Sequence, residues 1–301
     1  RVAAALNPPV PLAAPDPRDA VMALSCGDGI WLADGQGQGW PLLNSSYPYA
    51  NAYGWSPDGR RLLVSIAGRP AVVDLVQGTG TWLPGPTAEF GTAPQWVNET
   101  VVAYEAVSAL GTGRELTWPA SLGIHYYDTA DPEQQLDPVP LVNGYQLSPD
   151  RTQAVATLGL DVVILPVLET EYIVVGRGSQ PQWSPDSQRI GFVDQTNSGQ
   201  VWSLHLALAA TGDAYSILSS QDARVPPPID AQYAWVSFGW SPQSDQLVVS
   251  LQAADGISQD GWVGLLSADS LDFRILPPPE PGLALTGARY SPDGRTLAVS
   301  V

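Results

Sequence analysis

Short apolar runs, each bounded by turn-forming residues, recur along the whole chain: Leu62-Leu63-Val64-Ser65, Ala154-Val155-Ala156-Thr157, Ile190-Gly191-Phe192-Val193, Leu247-Val248-Val249-Ser250 and Leu297-Ala298-Val299-Ser300. Runs this short and this continuous suit strands buried on both faces. A further strand is predicted after most of them, as in Ile30-Trp31-Leu32-Ala33-Asp34, Ala71-Val72-Val73-Asp74-Leu75 and Ile124-His125-Tyr126-Tyr127-Asp128. A weaker one follows at Trp40-Pro41-Leu42-Leu43 and Thr81-Trp82-Leu83-Pro84. No segment sustains a 3.6-residue period, so very little helix is expected.

The strands are phased by a repeated phrase. Trp55-Ser56-Pro57-Asp58-Gly59 returns as Trp183-Ser184-Pro185-Asp186-Ser187, Trp240-Ser241-Pro242-Gln243-Ser244, Tyr290-Ser291-Pro292-Asp293-Gly294 and Leu147-Ser148-Pro149-Asp150. Degenerate copies stand at Ala13-Ala14-Pro15-Asp16 and Trp96-Val97-Asn98-Glu99. Counted from the Trp-equivalent positions, the spacings are 42, 41, 51, 36, 57 and 50 residues, near the length of a four-stranded propeller blade. Counted from the Ser, the phrase puts Ser, Pro and Gly at the first, second and fourth places, the preferences of a type I turn, and the Asp can bond nearby backbone N–H groups.

Four strands per repeat predict an all-β fold, a β-propeller of four-stranded antiparallel blades. Seven phrases favour seven blades, with six plus an extension as the alternative. The expected blades cover residues 8–44, 45–85, 86–139, 140–176, 177–220, 221–279, and 280–301 together with 1–7, all in one domain. Residues 2–6 could pair with 296–301 and close the ring with strands from both termini, which would remove an exposed sheet edge. The phrases resemble the TolB-like (PD40, WD40-like) propeller repeats of bacterial cell-envelope proteins. That resemblance implies the blade fold and an extracytoplasmic location (periplasmic, cell-surface or secreted), and leaves function open.

Charge narrows the partners. Only 14% of residues are charged, the net charge is -17, and all 13 basic residues are Arg. Such a chain repels phosphate backbones, so nucleic acid is not an expected partner. No apolar run reaches the length that spans a membrane. The start, Arg1-Val2-Ala3-Ala4-Ala5-Leu6-Asn7, is too short for a signal-peptide core and has no initiator Met, as expected of a mature or excised segment. Cys26 is the lone cysteine; its apolar surroundings predict a strand thiol rather than a nucleophile.

Catalytic signatures are absent from the sequence. There is no Gly-x-Ser-x-Gly elbow and no His/Cys/Asp cluster with zinc-ligand spacing. His125 and His205 fall in strand runs of different repeats, where packing is the expected role. Asp194-Gln195-Thr196-Asn197-Ser198-Gly199 resembles a calcium loop, but a hairpin is required there anyway. Neither a metal nor another cofactor is expected.

The repeats are interrupted by insertions at residues 105–123, 221–234 and 252–262. In a four-stranded blade these, with 45–53, 84–94 and 277–283, emerge on the face opposite the Ser-Pro-Asp-Gly turns. That long-loop face is expected to bind through Tyr47, Tyr49, Phe90, Trp118, Tyr233, Trp235 and Trp262, ringed by acids such as Glu105, Asp230 and Asp260. Loops on a rigid scaffold are where recognition concentrates. The expected function is a non-catalytic protein-binding or scaffolding module. A carbohydrate-active or peptidase-associated propeller and a structural subunit of an extracellular assembly are the alternatives.

Overall fold

The computed structural model describes residues 20–26, 29–43, 50–67, 69–84, 93–107, 121–131, 143–169, 171–196, 201–226, 234–253, 261–280 and 283–300. These residues contain strands and turns and no helix. The chain falls into two compact units, Arg1–Tyr145 with Val167–Thr170, and Gln146–Pro166 with Glu171–Val301.

In the first unit, β1 (Ala20–Cys26), β2 (Gly29–Asp34) and β3 (Gly39–Leu43) form one antiparallel sheet. The next sheet orders β4 (Ala50–Trp55), β5 (Arg61–Ile66), β6 (Arg69–Asp74) and β7 (Thr79–Trp82) sequentially. A third contains β8 (Gln95–Trp96), β9 (Val101–Val107) and β10 (Ser121–Asp128). The sheet at the division between the units is β11 (Asn143–Leu147), β12 (Gln153–Leu158), β13 (Asp161–Pro166) and β14 (Ile173–Arg177). In the second unit follow β15 (Ser179–Trp183), β16 (Arg189–Thr196), β17 (Val201–Leu208) and β18 (Ala214–Ser219), then β19 (Ala234–Trp240), β20 (Gln246–Ala253), β21 (Gly261–Ser267) and β22 (Phe273–Ile275). Last comes the pair β23 (Gly287–Tyr290) and β24 (Leu297–Ser300). Every strand pairs with its sequence neighbour, so each sheet is the meander expected of a blade. The expected closing strand, residues 2–6, lies outside the described residues.

The repeated phrase builds one turn five times. Gly59 N–H donates to Ser56 O (2.8 Å), closing the turn, and Ser56 N–H donates to Arg61 O (2.8 Å), continuing the ladder. Inside, the Ser56 hydroxyl donates to Asp58 Oδ1 (2.5 Å) while its oxygen accepts from Arg61 N–H (2.9 Å). Ser148 with Asp150, Ser184 with Asp186, and Ser291 with Asp293 repeat the hydroxyl-to-carboxylate bond. Where the third place is Gln243, Ser241 turns instead to Asp245 (2.6 Å). The fourth place is left-handed throughout: φ is 68° at Gly59 and 71° at Gly294, but also 61° at Arg151, 62° at Ser187 and 63° at Ser244. Glycine is the residue that accepts this conformation without strain. The two serines have a compensation, because Ser187 Oγ accepts from Asp150 N–H (3.1 Å) and Ser244 Oγ accepts from Asp186 N–H (3.0 Å). Each thereby ties its turn to the turn of the preceding sheet.

The apolar core lies between sheets, as stacked blades require. Ile30, Leu32 and Trp40 of the first sheet pack with Leu62, Val64 and Val73 of the second. Leu63 and Val72 of the second meet Trp96, Val102 and Tyr127 of the third. In the second unit, Val155 and Ile164 meet Trp183, Ile190 and Phe192. Leu204 and Leu206 meet Val236, Phe238 and Val249, and Val248 and Val263 meet Ala288, Tyr290 and Leu297.

The Trp of the phrase is the fastener. Trp96 Nε1 donates to Gly54 O (3.1 Å), Trp183 Nε1 to Gln146 O (3.1 Å) and Trp240 Nε1 to Gln182 O (3.4 Å). In each case the acceptor immediately precedes the Trp-equivalent residue of the sheet before. The Gln preceding the Trp reaches forward, Gln95 to Tyr145 O and Gln182 to Phe238 O. Trp96 and Trp183 are buried, while Trp55 and Trp240 are partly buried against the cores. Arginines that follow the turns lie over the next Trp: Arg61 over Trp96 at 5.3 Å and Arg189 over Trp240 at 5.5 Å.

Two insertions are shorter than the sequence suggests. β9 runs on to Val107 and pairs Glu105 with Ile124, so residues 105–107 belong to a strand. β20 runs to Ala253 and β21 begins at Gly261, which makes Trp262 a strand residue opposite Leu251. In both places continued ladder pairing and apolar burial extend the strands beyond the point where the turn formers begin. The last strands of three sheets, β3, β14 and β18, carry a further device: the register slips by one residue at Leu42, Val175 and Ile217, and each extra residue is buried. Such bulges disrupt the free edge of a sheet and guard it against unwanted pairing.

Candidate functional site

Of the ten residues expected on the long-loop face, Tyr47, Tyr49, Phe90, Trp118, Tyr233, Asp230 and Asp260 lie outside the described residues. The other three differ in burial. Glu105 is buried in β9 at 8% exposure and Trp262 is buried in β21 at 8%. Trp262 makes an edge-on contact with Phe273, ring centres 5.5 Å apart, and belongs to the core shared by the fifth and sixth sheets. Trp235 is 62% exposed.

The difference between the two tryptophans is one of strand parity. Leu251 of β20 stands between Val236 and Trp262, and all three point into the core. Gln252 stands between Trp235 and Gly261, on the opposite face. Successive side chains of a strand alternate, so Val236 and Phe238 are buried while Trp235 and Ser237 are exposed. Trp235 is at the end of β19 that receives the chain from the insertion after β18, and the Ser241 turn leaves from the other end. It therefore stands at the long-loop end of the strand.

A groove of about 320 Å³ is lined by Ser237 of β19 and by Gly287, Ala288, Arg289, Ala298, Val299 and Ser300 of β23 and β24. Gly287 pairs with Ser300 and Arg289 with Ala298, so its walls are mostly small side chains with two hydroxyls and one guanidinium. Arg289 is exposed, and among the described residues no carboxylate lies within ion-pairing distance of it. Arg60, Arg151, Arg177, Arg274 and Arg295 likewise make no ion pair among the described residues, whereas three others are engaged. Arg189 binds Asp269 (2.8 Å) and Ser244 O (2.6 Å), Arg69 lies 4.5 Å over Trp82, and Arg224 binds Asp222 (2.6 Å). That last pair holds the Asp222 carboxyl down at about 2, through the hydrogen bond from the Arg224 side chain. Sequence reasoning missed Ser237 and Arg289. The polar–apolar alternation of Trp235-Val236-Ser237-Phe238 was a signal for the first, and Arg289 had none.

The two histidines sit in strand packing. His125 stacks on Tyr104 at 6.0 Å and His205 on Phe192 at 5.1 Å, and burial pushes both imidazoles below their ordinary range. No group of three or more His, Cys, Asp or Glu side chains that could hold a metal occurs among the described residues. Residues 197–199 of the calcium-like loop lie outside them. No helix among the described residues is long and apolar enough to cross a membrane.

No family model and no curated protein matches the chain. Solved structures do. A chain of the mitotic checkpoint complex is 18% identical and superposes with a TM-score of 0.55, covering 100% of this chain and 91% of that one. An oligogalacturonate lyase from Vibrio parahaemolyticus, 12% identical, gives 0.57 over 89% of this chain and 79% of its own. A prolyl endopeptidase, 13% identical, gives 0.57 over 92% of this chain but 46% of its own. At these identities the likeness establishes the fold alone: the chain has the β-propeller architecture that its turn phrases predict.

Proposed function

We propose that this chain is a non-catalytic, protein-binding or scaffolding propeller that engages its partner through the long-loop face, in an extracytoplasmic setting. The exposure of Trp235 carries the reading. A Trp that could have been folded into the core, as Trp262 is, instead stands in solvent at the long-loop end of an otherwise well-packed strand. Aromatic anchors of this kind dominate binding energies at protein interfaces. The acidic balance of the chain favours partners with a basic or neutral contact surface.

Gentle isolation from the native source, with the wild-type chain and Trp235→Ala compared, tests this. The variant is expected to lose the co-purifying partner, with binding weakened by about 2 kcal/mol or more. Its melting temperature should stay close to wild type, since an exposed side chain contributes little to folding. Retention of the partner by Trp235→Ala, with loss on Gln188→Ala in a turn of the opposite face, would place binding on the wrong face.

A further inference from the structure

We infer that Arg224 is a positioning residue for partner binding: it straps the connection that leads from β18 to Trp235 onto the fifth and sixth sheets. The inference rests on the protein-binding reading and adds the residue that pre-orders the chain beside the exposed indole. β18 ends at Ser219 and β19 begins at Ala234, one residue before Trp235. Residues 227–233 lie outside the described residues, but the part of the connection before them is tied down. Ser220 N–H donates to Trp202 O (3.0 Å) and Asp222 N–H to Ser219 O (3.1 Å), bending the chain back on the sheet it has just left. Arg224 then grips the Asp222 carboxylate through two donors, Nε at 2.9 Å and Nη2 at 2.6 Å. Held in that fork, it donates through Nη1 to Leu271 O, in the turn between β21 and β22, and through Nη2 to Ile217 O of β18 at 3.5 Å. One guanidinium thus spans two sheets. Val225, the next residue, is buried in the core that those sheets share.

Two features set this strap apart from an ordinary surface ion pair. Arg61 and Arg189 also reach carbonyls of the following sheet, Glu99 O and Ser244 O, but both leave from strands. Arg224 leaves from a connection, so what it fixes is the path of the chain. The acceptor turn is altered to match. Gly78 and Gly212 hold the left-handed place in the β6–β7 and β17–β18 turns, at φ 66° and 76°, each donating to the carbonyl four residues back. In the β21–β22 turn Leu271 takes that place at φ 59°, with the same bond to Ser267 O. A leucine bears strain there that glycine avoids. Its side chain packs on the core that holds Val225, and its carbonyl accepts the charged Arg224 donor. A planar guanidinium is suited to serving several acceptors at once. With the strap tied, at most residues 227–233 are left to reach β19, and a shorter free length loses less entropy on closing. Order already present in the chain beside Trp235 is order the partner does not have to impose.

Hydrogen–deuterium exchange of the full chain, wild type against Arg224→Gln, reads the strap directly. Amides of residues 220–226 are expected to exchange about tenfold or more faster in the variant, because local opening sets their rate. β16 and β20 should exchange as in wild type, and the melting temperature should stay close to it. On gentle isolation from the native source, Arg224→Gln should retain less of the co-purifying partner than wild type, although Trp235 is intact. Arg224→Lys, whose ammonium cannot serve the carboxylate and both carbonyls together, should fall between the two. Should Arg224→Gln loosen the whole chain, Asp222→Asn, which releases the fork and keeps the arginine, carries the same expectations in smaller measure. Unchanged exchange over 220–226, or faster exchange there with the partner fully retained, would overturn the inference, and so would full rescue by Arg224→Lys. Partner lost with Trp235→Ala but kept with Arg224→Gln sinks it and leaves the protein-binding reading standing; partner kept with both sinks that reading.

Discussion

Ser187 shows how one residue serves a turn and an interface together. It holds a left-handed backbone at φ 62°, a conformation that costs a non-glycine residue of order 1 kcal/mol or more, and its hydroxyl accepts the Asp150 N–H of the preceding turn. Ser187→Ala keeps the strain and leaves that amide without its partner, so a loss of about 1–2 kcal/mol is expected in denaturant unfolding. Ser187→Gly loses the same bond but relieves the backbone, and should fall closer to wild type. Equal losses in the two variants would show that the hydroxyl, and not the backbone, sets the cost. Asp150 adds a pH dependence. The Ser148 hydroxyl holds its carboxyl below the usual range, against an opposing contribution from burial. A group whose folded pKa is depressed contributes stability above its unfolded value and loses it as pH falls through the folded one. Asp150→Asn should therefore cost less than about 1 kcal/mol at neutral pH, with the gap to wild type closing as the pH falls below the ordinary carboxylate range. A gap that widens on acidification would contradict the sign.

For the elements, what matters is what each strand presents to the next sheet. Trp183 fills the space between the fourth and fifth sheets and also donates to Gln146 O. Trp183→Phe should cost about 1–2 kcal/mol through the unpaired carbonyl and the small void. Trp183→Ala should cost about 3–5 kcal/mol. Chemical denaturation of the two variants measures both, and a Phe variant as stable as wild type would reduce the indole to bulk. The bulges at Leu42, Val175 and Ile217 were invisible in the sequence. A residue that reads as the next apolar position of a strand is an extra one, and only the partner strand's register reveals it. The strand extensions through Glu105 and Trp262 escaped for the same reason. Turn formers nearby say where a loop can begin, while ladder pairing decides where it does.

In the whole molecule, stability is assembled from neighbouring sheets rather than one central core, so no sheet of either unit is expected to persist alone. Far-ultraviolet circular dichroism should report β structure with helix below about a tenth, where an average globular domain has roughly a third; clear helical minima would refute the architecture. Each of the five near-identical turns joins the first and second strands of its own sheet. In β19 the Ser241 turn leaves from one end and the exposed Trp235 stands at the other.

The sequence by itself determined the repeat, the strand order within each sheet and the inner chemistry of the turn. Those depend on residues two to five positions apart, whose geometry is settled by the local backbone. It also marked Trp55, Trp96, Trp183 and Trp240 as one structural set, through their shared place in the phrase. Only the tertiary structure decided which carbonyl each indole reaches, because the acceptor belongs to the preceding sheet, dozens of residues away. It alone set Trp262 in the core and Trp235 in solvent, since two tryptophans beside insertions look alike until the register with β20 gives each a face. The groove belongs wholly to that level, because the fold brings Ser237 of β19 beside β23 and β24, and no local pattern of residues records that.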